Sequence, residues 1–281
     1  MLGSSLYKNL SLNPDLDVYG TIRSKKRYIN HFFTKQDKTN IYELDIHKSV
    51  KELKTILKDI KPDVVINCIG KIPQKESIES EIIQLNSLLP HQISTCCEEI
   101  SAKLIHFSTD CVFSGKKGFY DEDDIPDAED LYGRSKLQGE VHSSNHLTIR
   151  TSIIGHEIET KTSLVEWFLS QEENISGYSR AIFSGFPCNF YSKILIDYIF
   201  PRKELSGILH VSSNPISKYN LLMIVKRVYD KNTHIELDEN YKSDKSLDSS
   251  KFQRMTGFRS PEWEFLVRHM YQDYEKFYKG Y

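Results

Sequence analysis

The stretch SVKELKTILKDIKPDVVINC (Ser49–Cys68) decides the fold. In its first part Val50, Leu53, Ile56, Leu57 and Ile60 recur at a spacing of about 3.6 residues, which predicts an amphipathic helix. Pro62 stops that helix. Asp63–Cys68 is then a continuous apolar run, the pattern of a strand covered on both faces in a parallel sheet.

The same alternation extends outward. Asp17–Ile22 (DVYGTI) and Ile41–Asp45 (IYELD) read as earlier strands. Ile78–Ile100 reads as helical, with Pro90 starting a new helix or kinking the old one. Lys103–Ser108 (KLIHFS) is a strand, Tyr132–Val141 a helix, and Leu147–Ile149 lies in a further strand. Strand–helix alternation at this spacing predicts an α/β fold: a doubly wound, Rossmann-like parallel sheet with helices on both faces. Ligands of such sheets bind beyond the carboxyl ends of the strands. After Arg150 the pattern loosens. Ser163–Ser170, Phe190–Ile199, Ser217–Tyr229 and Trp263–Tyr278 read as helices, Gly207–Ser212 as a late strand, and Gly155–Gly185 otherwise as polar turns. Lys231–Ser250 reads as a long polar surface excursion. Residues 1–155 are expected to form the sheet domain, and 156–281 a smaller substrate lobe interleaved with the last sheet elements.

Composition narrows the function. The 281 residues carry 37 Lys plus Arg against 39 Asp plus Glu, a net charge of −2. That balance lacks the basic footprint of a nucleic-acid binder. No run reaches the roughly 18–20 apolar residues of a membrane helix, so no membrane partner is expected. The N-terminus lacks the basic and apolar regions of a secretory signal. The five cysteines (Cys68, Cys96, Cys97, Cys111, Cys188) form neither a disulfide framework nor a zinc motif. Buried thiols in a reducing cytoplasm are the expectation.

Two short stretches carry the chemistry. STDCVFSG (Ser108–Gly115) follows a predicted strand, and YGRSK (Tyr132–Lys136) opens a predicted helix. Tyr132 and Lys136 are four apart, one helical turn. A lysine ammonium beside a phenol favours the phenolate and is expected to lower the tyrosine pKa. Such a tyrosine can move a proton to or from a C–O group. The Thr109 hydroxyl can hold the same oxygen. A YxxxK pair alone is a weak signal, often a surface tyrosine with a solvated lysine; its place after a strand ending in Ser-Thr-Asp strengthens it.

With these stretches, VINCIG (Val65–Gly70), HFSTDCVFSG (His106–Gly115), LYGRSKLQGE (Leu131–Glu140), LTIRTSIIG (Leu147–Gly155) and SLDSSKFQRMTGF (Ser246–Phe258), the chain resembles an extended short-chain dehydrogenase/reductase. More narrowly it resembles the dTDP-4-dehydrorhamnose reductase (RmlD-like) family. The resemblance covers nearly the whole chain and is specific for the family rather than for the substrate. It implies Tyr132 as catalytic acid, Lys136 as its partner on the nicotinamide ribose, and Thr109 as the group orienting the substrate carbonyl. It further implies that Leu2, Gly3, Cys68, Ile69, Gly70 and Asn86 line the cofactor and that Asp45 lies near adenine. Helix capping is an equal and compatible role for Asp45. Asp110, Val112, Phe113 and Ile153 are the implied substrate contacts. Arg23, where NAD-selective enzymes place a carboxylate, has Lys25, Lys26 and Arg27 close by. This cationic group suits the 2′-phosphate of NADPH, with NADH the alternative cofactor and a solvated basic loop the plainer reading. Magnesium is implied by the resemblance alone, since no ligand cluster stands out.

The chain departs from the family in two places. Met1-Leu2-Gly3-Ser4-Ser5-Leu6 matches only the end of the family's glycine-rich turn, so the first, central strand of the sheet is expected to be missing. Either an empty slot or direct pairing of the flanking strands should result. An incomplete N-terminus is the expected explanation, and a genuine short form with weak cofactor binding the alternative. Ile153 stands where rhamnose-forming relatives usually carry an aromatic residue, and FSGFPC (Phe183–Cys188) replaces their Asp-Gln-Gly-x-Pro-Thr. The expected activity is NADPH-dependent reduction of a 4-keto-6-deoxy sugar nucleotide for surface polysaccharide, by a cytoplasmic enzyme and as a homodimer. The rivals are a sugar nucleotide epimerase or dehydratase, disfavoured because no glutamate follows Asp110, and a non-catalytic dinucleotide-binding regulatory subunit.

Overall fold

A computed structural model describes residues 1–24, 40–47, 49–73, 78–158 and 160–279. Its centre is a four-stranded parallel sheet in the order β3 (Val64–Asn67), β4 (Lys103–Phe107), β5 (Leu147–Arg150) and β9 (Gly207–His210). Ile105 opposes Leu147, and Leu147 opposes Gly207. These strands are short apolar runs between helices, so each is covered on both faces, as the sequence pattern requires. The α/β, Rossmann-like expectation is met.

A second parallel pair, β1 (Gly20–Ile22) with β2 (Ile41–Glu43), stands apart from this sheet. Met1–Leu10 supplies no strand to join them; Leu2–Leu10 is helix α1. A cavity of about 1640 Å³ separates the two sheets, bounded by Gly20, Thr21 and Ile22 on one side and Val64, Val65 and Ile66 on the other. Among the described residues, the expected slot between the flanking strands is unfilled. It explains why Val64, Val65 and Ile66 are only half-buried despite their apolar run. Helix α1 covers one face, placing Leu2, Leu6 and Leu10 in the core with Ile105, Phe107, Leu147 and Ile149.

Helix α2 (Val50–Ile60) starts at Ser49, whose side chain accepts a hydrogen bond from the Glu52 amide at 3.2 Å. The capping role considered for Asp45 thus belongs to Ser49, which stands directly before the helix. Helix α3 (Glu79–Ile83) runs through one π-turn (Gln84–Leu88) into α4 (Leu89–Glu99), with Pro90 in the first turn of α4. Pro90 has no N–H to give to the preceding turn, and the helical ladder is interrupted there by the π-turn.

The second half corrects two expectations. Ile175–Phe183 (β7) and Ile235–Asp244 (β11) form a long parallel pair, and Ile216–Ser217 (β10) adds antiparallel to β7. The segment Lys231–Ser250 therefore contains a ten-residue strand. Its sequence, IELDENYKSD, lacks apolar alternation because β11 is an edge strand largely exposed along its length.

Candidate functional site

Strand β4 delivers Ser108 and Thr109 to the carboxyl end of the sheet, and a single 3-10 turn follows at Asp110–Val112. Thr109 caps this turn: its Oγ1 accepts from the Cys111 amide at 3.1 Å. The same hydroxyl donates to Asp110 Oδ1 at 3.2 Å. The Asp110 amide donates to the Thr151 carbonyl at 3.0 Å, tying the turn to the end of β5.

Helix α5 (Leu131–Gln138) carries Tyr132 and Lys136. It starts at Asp130, whose side chain accepts from the Gly133 amide at 2.8 Å. Two glycines let it press inward. A Cβ on Gly133 would lie 2.1 Å from the Cys111 carbonyl oxygen, and one on Gly139 only 1.8 Å from that of Asn86. The helix is thus held between the Thr109 turn and the π-turn of Asn86. π-Turns interrupt helices chiefly at functional sites.

The Thr109 hydroxyl lies near the Tyr132 phenol. Burial pushes the phenol well above its ordinary range, the neighbouring Cys111 adds to this, and the Thr109 hydroxyl offsets part of it. Lys136 is 4% exposed and donates from Nζ to the Phe107 carbonyl at 2.8 Å. Burial pulls its ammonium down to about 8, against the opposing effect of Glu140. The expectation that Lys136 lowers the tyrosine pKa is corrected here. The lysine is engaged with strand β4, and desolvation governs the phenol, which stays protonated at neutral pH.

Behind this trio lies the loop after β3. A Cβ on Gly70 would sit 3.7 Å from Asn86 Oδ1 and 4.0 Å from Lys136 Nζ. Asn86 is fully buried; its Oδ1 accepts from the Lys71 amide at 2.8 Å, and its Nδ2 donates to the Lys71 carbonyl and to Ser135 Oγ. The Ile69 amide donates to Asn67 Oδ1 at 3.0 Å. At the start of α1, beside buried Leu2, Gly3 approaches closely enough that a Cβ would be 3.4 Å from that of Cys68. Leu2, Gly3, Cys68, Ile69, Gly70, Asn86 and Lys136 are thus gathered at the carboxyl end of β3.

The other predicted residues are more scattered. Arg23 is exposed just past β1 and lines the cavity. Lys25, Lys26 and Arg27 lie outside the described residues. Asp45 follows β2, and its Oδ1 accepts from the His47 amide at 3.3 Å. Ile153 is half-buried in β6 (Ile153–Ile154), opposite Phe186. Asp110 is buried, which pushes its carboxyl up, with Lys245 as the main offset.

Val112 and Phe113 are corrected. Both are fully buried with Tyr120 and Leu247, and the Phe113 and Tyr120 rings stack at 4.2 Å. Their side chains hold the loop and present nothing to a substrate. The sequence reading also passed over Glu140. Its signal was present: Tyr132, Lys136 and Glu140 recur every four residues, and Arg150 ends the next strand.

Among the described residues no group of His, Cys, Asp and Glu could hold a metal ion. No described helix is long and apolar enough to cross a membrane.

Comparison with known proteins agrees with this geometry. The family described as RmlD substrate binding domain matches residues 1–176. The beta subunit of methionine adenosyltransferase 2 from Danio rerio is 29% identical over 164 residues, 57% of this chain and 46% of that protein. The dTDP-4-dehydrorhamnose reductase of Shigella flexneri is 30% identical over 128 residues, 40% of this chain and 43% of that protein. The matches to these two curated relatives thus each span less than half of the relative's length. A solved dTDP-4-dehydrorhamnose reductase from Bacillus anthracis, in complex with NADP, superposes with a TM-score of 0.73 at 21% identity, over 96% of this chain and 97% of that one. At that identity the likeness speaks for the fold.

Proposed function

Because the chain belongs to the RmlD substrate binding domain family, within the extended short-chain dehydrogenases/reductases, we propose that it reduces the 4-keto group of a nucleotide-linked 6-deoxyhexose with NADPH. The observation that carries this reading is the convergence of Thr109, a protonated Tyr132 and a buried Lys136 at the carboxyl end of one parallel sheet.

The residues present fit a nicotinamide dinucleotide. Gly3 and Gly70 bring bare backbone to the carboxyl end of β3, where a side chain would take up the space beside Cys68, Asn86 and Lys136. The start of α1 offers backbone N–H groups to an anion. Exposed Arg23 suits a 2′-phosphate, with NADH the alternative cofactor. Bound NADPH would supply a hydride for the sugar C4.

This chain's residues do the rest. Thr109 turns its one hydroxyl proton from Asp110 to the carbonyl oxygen of the sugar and so holds it. Tyr132, neutral at pH 7 through burial, donates its phenolic proton to that oxygen as charge develops there. Lys136, whose ammonium is moored to the Phe107 carbonyl, reaches the nicotinamide ribose. The remote nucleotide diphosphate supplies binding energy for positioning rather than for the chemical step. A dTDP- or UDP-linked sugar destined for surface polysaccharide is the substrate class, handled by a cytoplasmic homodimer.

The test is NADPH oxidation monitored with dTDP- and UDP-4-keto-6-deoxy sugars. Turnover that disappears in Tyr132→Phe supports the reading, and no turnover with any of them sinks it. A second reading, a dinucleotide-binding regulatory subunit, draws on the similarity to the methionine adenosyltransferase beta subunit and on the open slot beside β3. NADPH binding without turnover would favour it.

A further inference from the structure

Thr109 has one hydroxyl proton, and two acceptors need it. Its Oγ1 accepts from the Cys111 amide at 3.1 Å and donates to Asp110 Oδ1 at 3.2 Å. A hydroxyl offers one donor and two acceptor sites. While its proton points at Asp110, Thr109 has only a lone pair left for a ligand. The carbonyl oxygen of a sugar also brings only lone pairs. In this arrangement the hydroxyl does not hold a carbonyl.

The backbone around Thr109 is fixed. The Ser108 amide donates to the Ile149 carbonyl at 2.8 Å, and the Asp110 amide to the Thr151 carbonyl at 3.0 Å. Ser108 Oγ donates to Glu140 Oε1 at 2.7 Å, and Arg150 grips that carboxylate twice at 2.8 Å. What can change at Thr109 is the direction of its proton. Asp110 is 7% exposed, so an ionised carboxylate there is left short of a donor when Thr109 turns away, at a cost. A protonated carboxyl meets the opposite situation. Its own O–H can donate to Thr109 Oγ1, which then accepts twice and gives its proton to the ligand.

We propose that Asp110 is a positioning residue of the reaction and acts as the neutral carboxylic acid: its O–H donates to Thr109 Oγ1 and so turns the Thr109 proton to the sugar carbonyl. For turnover the inference rests on the reductase reading; for the proton shared by the two side chains it does not.

The surroundings favour the neutral acid. Burial pushes the Asp110 carboxyl up. Lys245 is the cation that opposes this, followed by the Thr109, Cys111 and Ser152 side chains. Lys245 lies just beyond β11, where the Asp244 amide donates to the Gly115 carbonyl at 3.0 Å and a Cβ on Gly115 would meet Lys245 Cγ at 3.0 Å. The other titratable neighbours carry no charge at neutral pH. Burial pushes the Cys111 thiol up to about 12 and holds the phenols of Tyr132, from α5, and Tyr191 well above their ordinary range.

The experiment has two arms, both on the full chain. In the first, aspartate labelled at Cγ is titrated by NMR, and the Asp110 signal is identified by its loss in Asp110→Asn. Its midpoint is expected above the ordinary 3.8. Thr109→Val removes the donor to the carboxylate and should raise the midpoint by about half a pH unit or more, while Thr109→Ser should stay near the parent. In the second arm, NADPH oxidation is followed from about pH 5 to 8. The parent kcat should decline as pH rises through the ionisation of Asp110. Asp110→Asn, whose amide N–H takes the place of the acid O–H, should lose this decline and exceed Asp110→Ala in kcat by about tenfold or more. A midpoint that Thr109→Val leaves unchanged or lowers overturns the proposal, as does an Asp110→Asn as slow as Asp110→Ala. If Asp110→Ala does not fold, the pH profile of Asp110→Asn decides, and a decline like the parent's overturns the proposal. Absent turnover in the parent chain sinks the reductase reading, while the titration still decides whether Asp110 and Thr109 share the proton.

Discussion

Lys136 Nζ hydrogen-bonds the Phe107 carbonyl at 2.8 Å, so the lysine of the YxxxK pair is moored to the strand that carries Thr109. Burial there brings its ammonium from an ordinary 10.5 to about 8. The proposed grip of this ammonium on the nicotinamide ribose is thus present below about pH 8 and fades above it. The value of kcat/KM should fall about tenfold per pH unit beyond that point. A pH–rate profile from 6 to 10 checks this.

The same group has the opposite effect on stability. Between about pH 8 and 10.5 the unfolded chain holds a proton on Lys136 that the folded chain has released. The unfolded state binds more protons across that window, so this residue's contribution to stability rises with pH there. Urea unfolding at pH 7.5 and 9.5, in the parent and in Lys136→Met, should show a gain in the parent that the variant lacks.

Tyr132→Phe removes the proton donor but little packing. Turnover should drop by about 100- to 10,000-fold. The affinity for NADPH, measured by fluorescence, should stay within about twofold of the parent.

Phe113 lies within the strongest motif of the sequence, yet it is packing. Phe113→Ala is expected to cost about 3–5 kcal/mol in denaturant unfolding. Whatever folds should retain the parent KM for the sugar nucleotide, because the ring is closed off by Tyr120 and Leu247.

Gly139 is a closer-run position. Its substitution by alanine places a methyl 1.8 Å from the Asn86 carbonyl oxygen, a backbone atom that cannot step aside. Helix α5 must shift, so Gly139→Ala should lower both Tm and NADPH affinity. Gly207, where a Cβ meets nothing within 4 Å, is the control for crowding. Its φ of 71° adds some strain to the alanine there.

The slot beside β3 has its own test. A designed extension before Met1, a continuous apolar strand ending in Gly-x-x-Gly, could pair with both β1 and β3. It is expected to raise Tm and tighten NADPH binding. A matched extension with proline at alternate positions should do neither, since proline cannot donate to a ladder.

Much of this was legible in the sequence, because a buried parallel strand and an amphipathic helix write strong periodicities. Val50–Ile60 and Val64–Asn67 lie where the apolar pattern put them. Thr109, Tyr132 and Lys136 could be read because motif and fold agree on where strands end. What escaped has physical reasons. Strand β11 is held by pairing to β7, and its exposed charges leave no periodic trace. Val112 and Phe113 stand close to Thr109 in sequence, but Leu247, more than a hundred residues away, claims them for packing. The shift of the tyrosine upward rather than downward depends on desolvation, which no spacing reveals.

The division of the sheet bears on how the molecule comes apart. Strands β4 and β5 are paired on both sides, whereas among the described residues β1 and β2 pair only with each other. The link to the rest near them includes a small cluster of Tyr7, Ile41 and Tyr278. Such a piece can open without the whole, as a separate cooperative unit. Amide exchange at Ile22 and Leu44 should therefore report this local opening and proceed through it, while Ile105 and Ile149 exchange only when the entire core is lost.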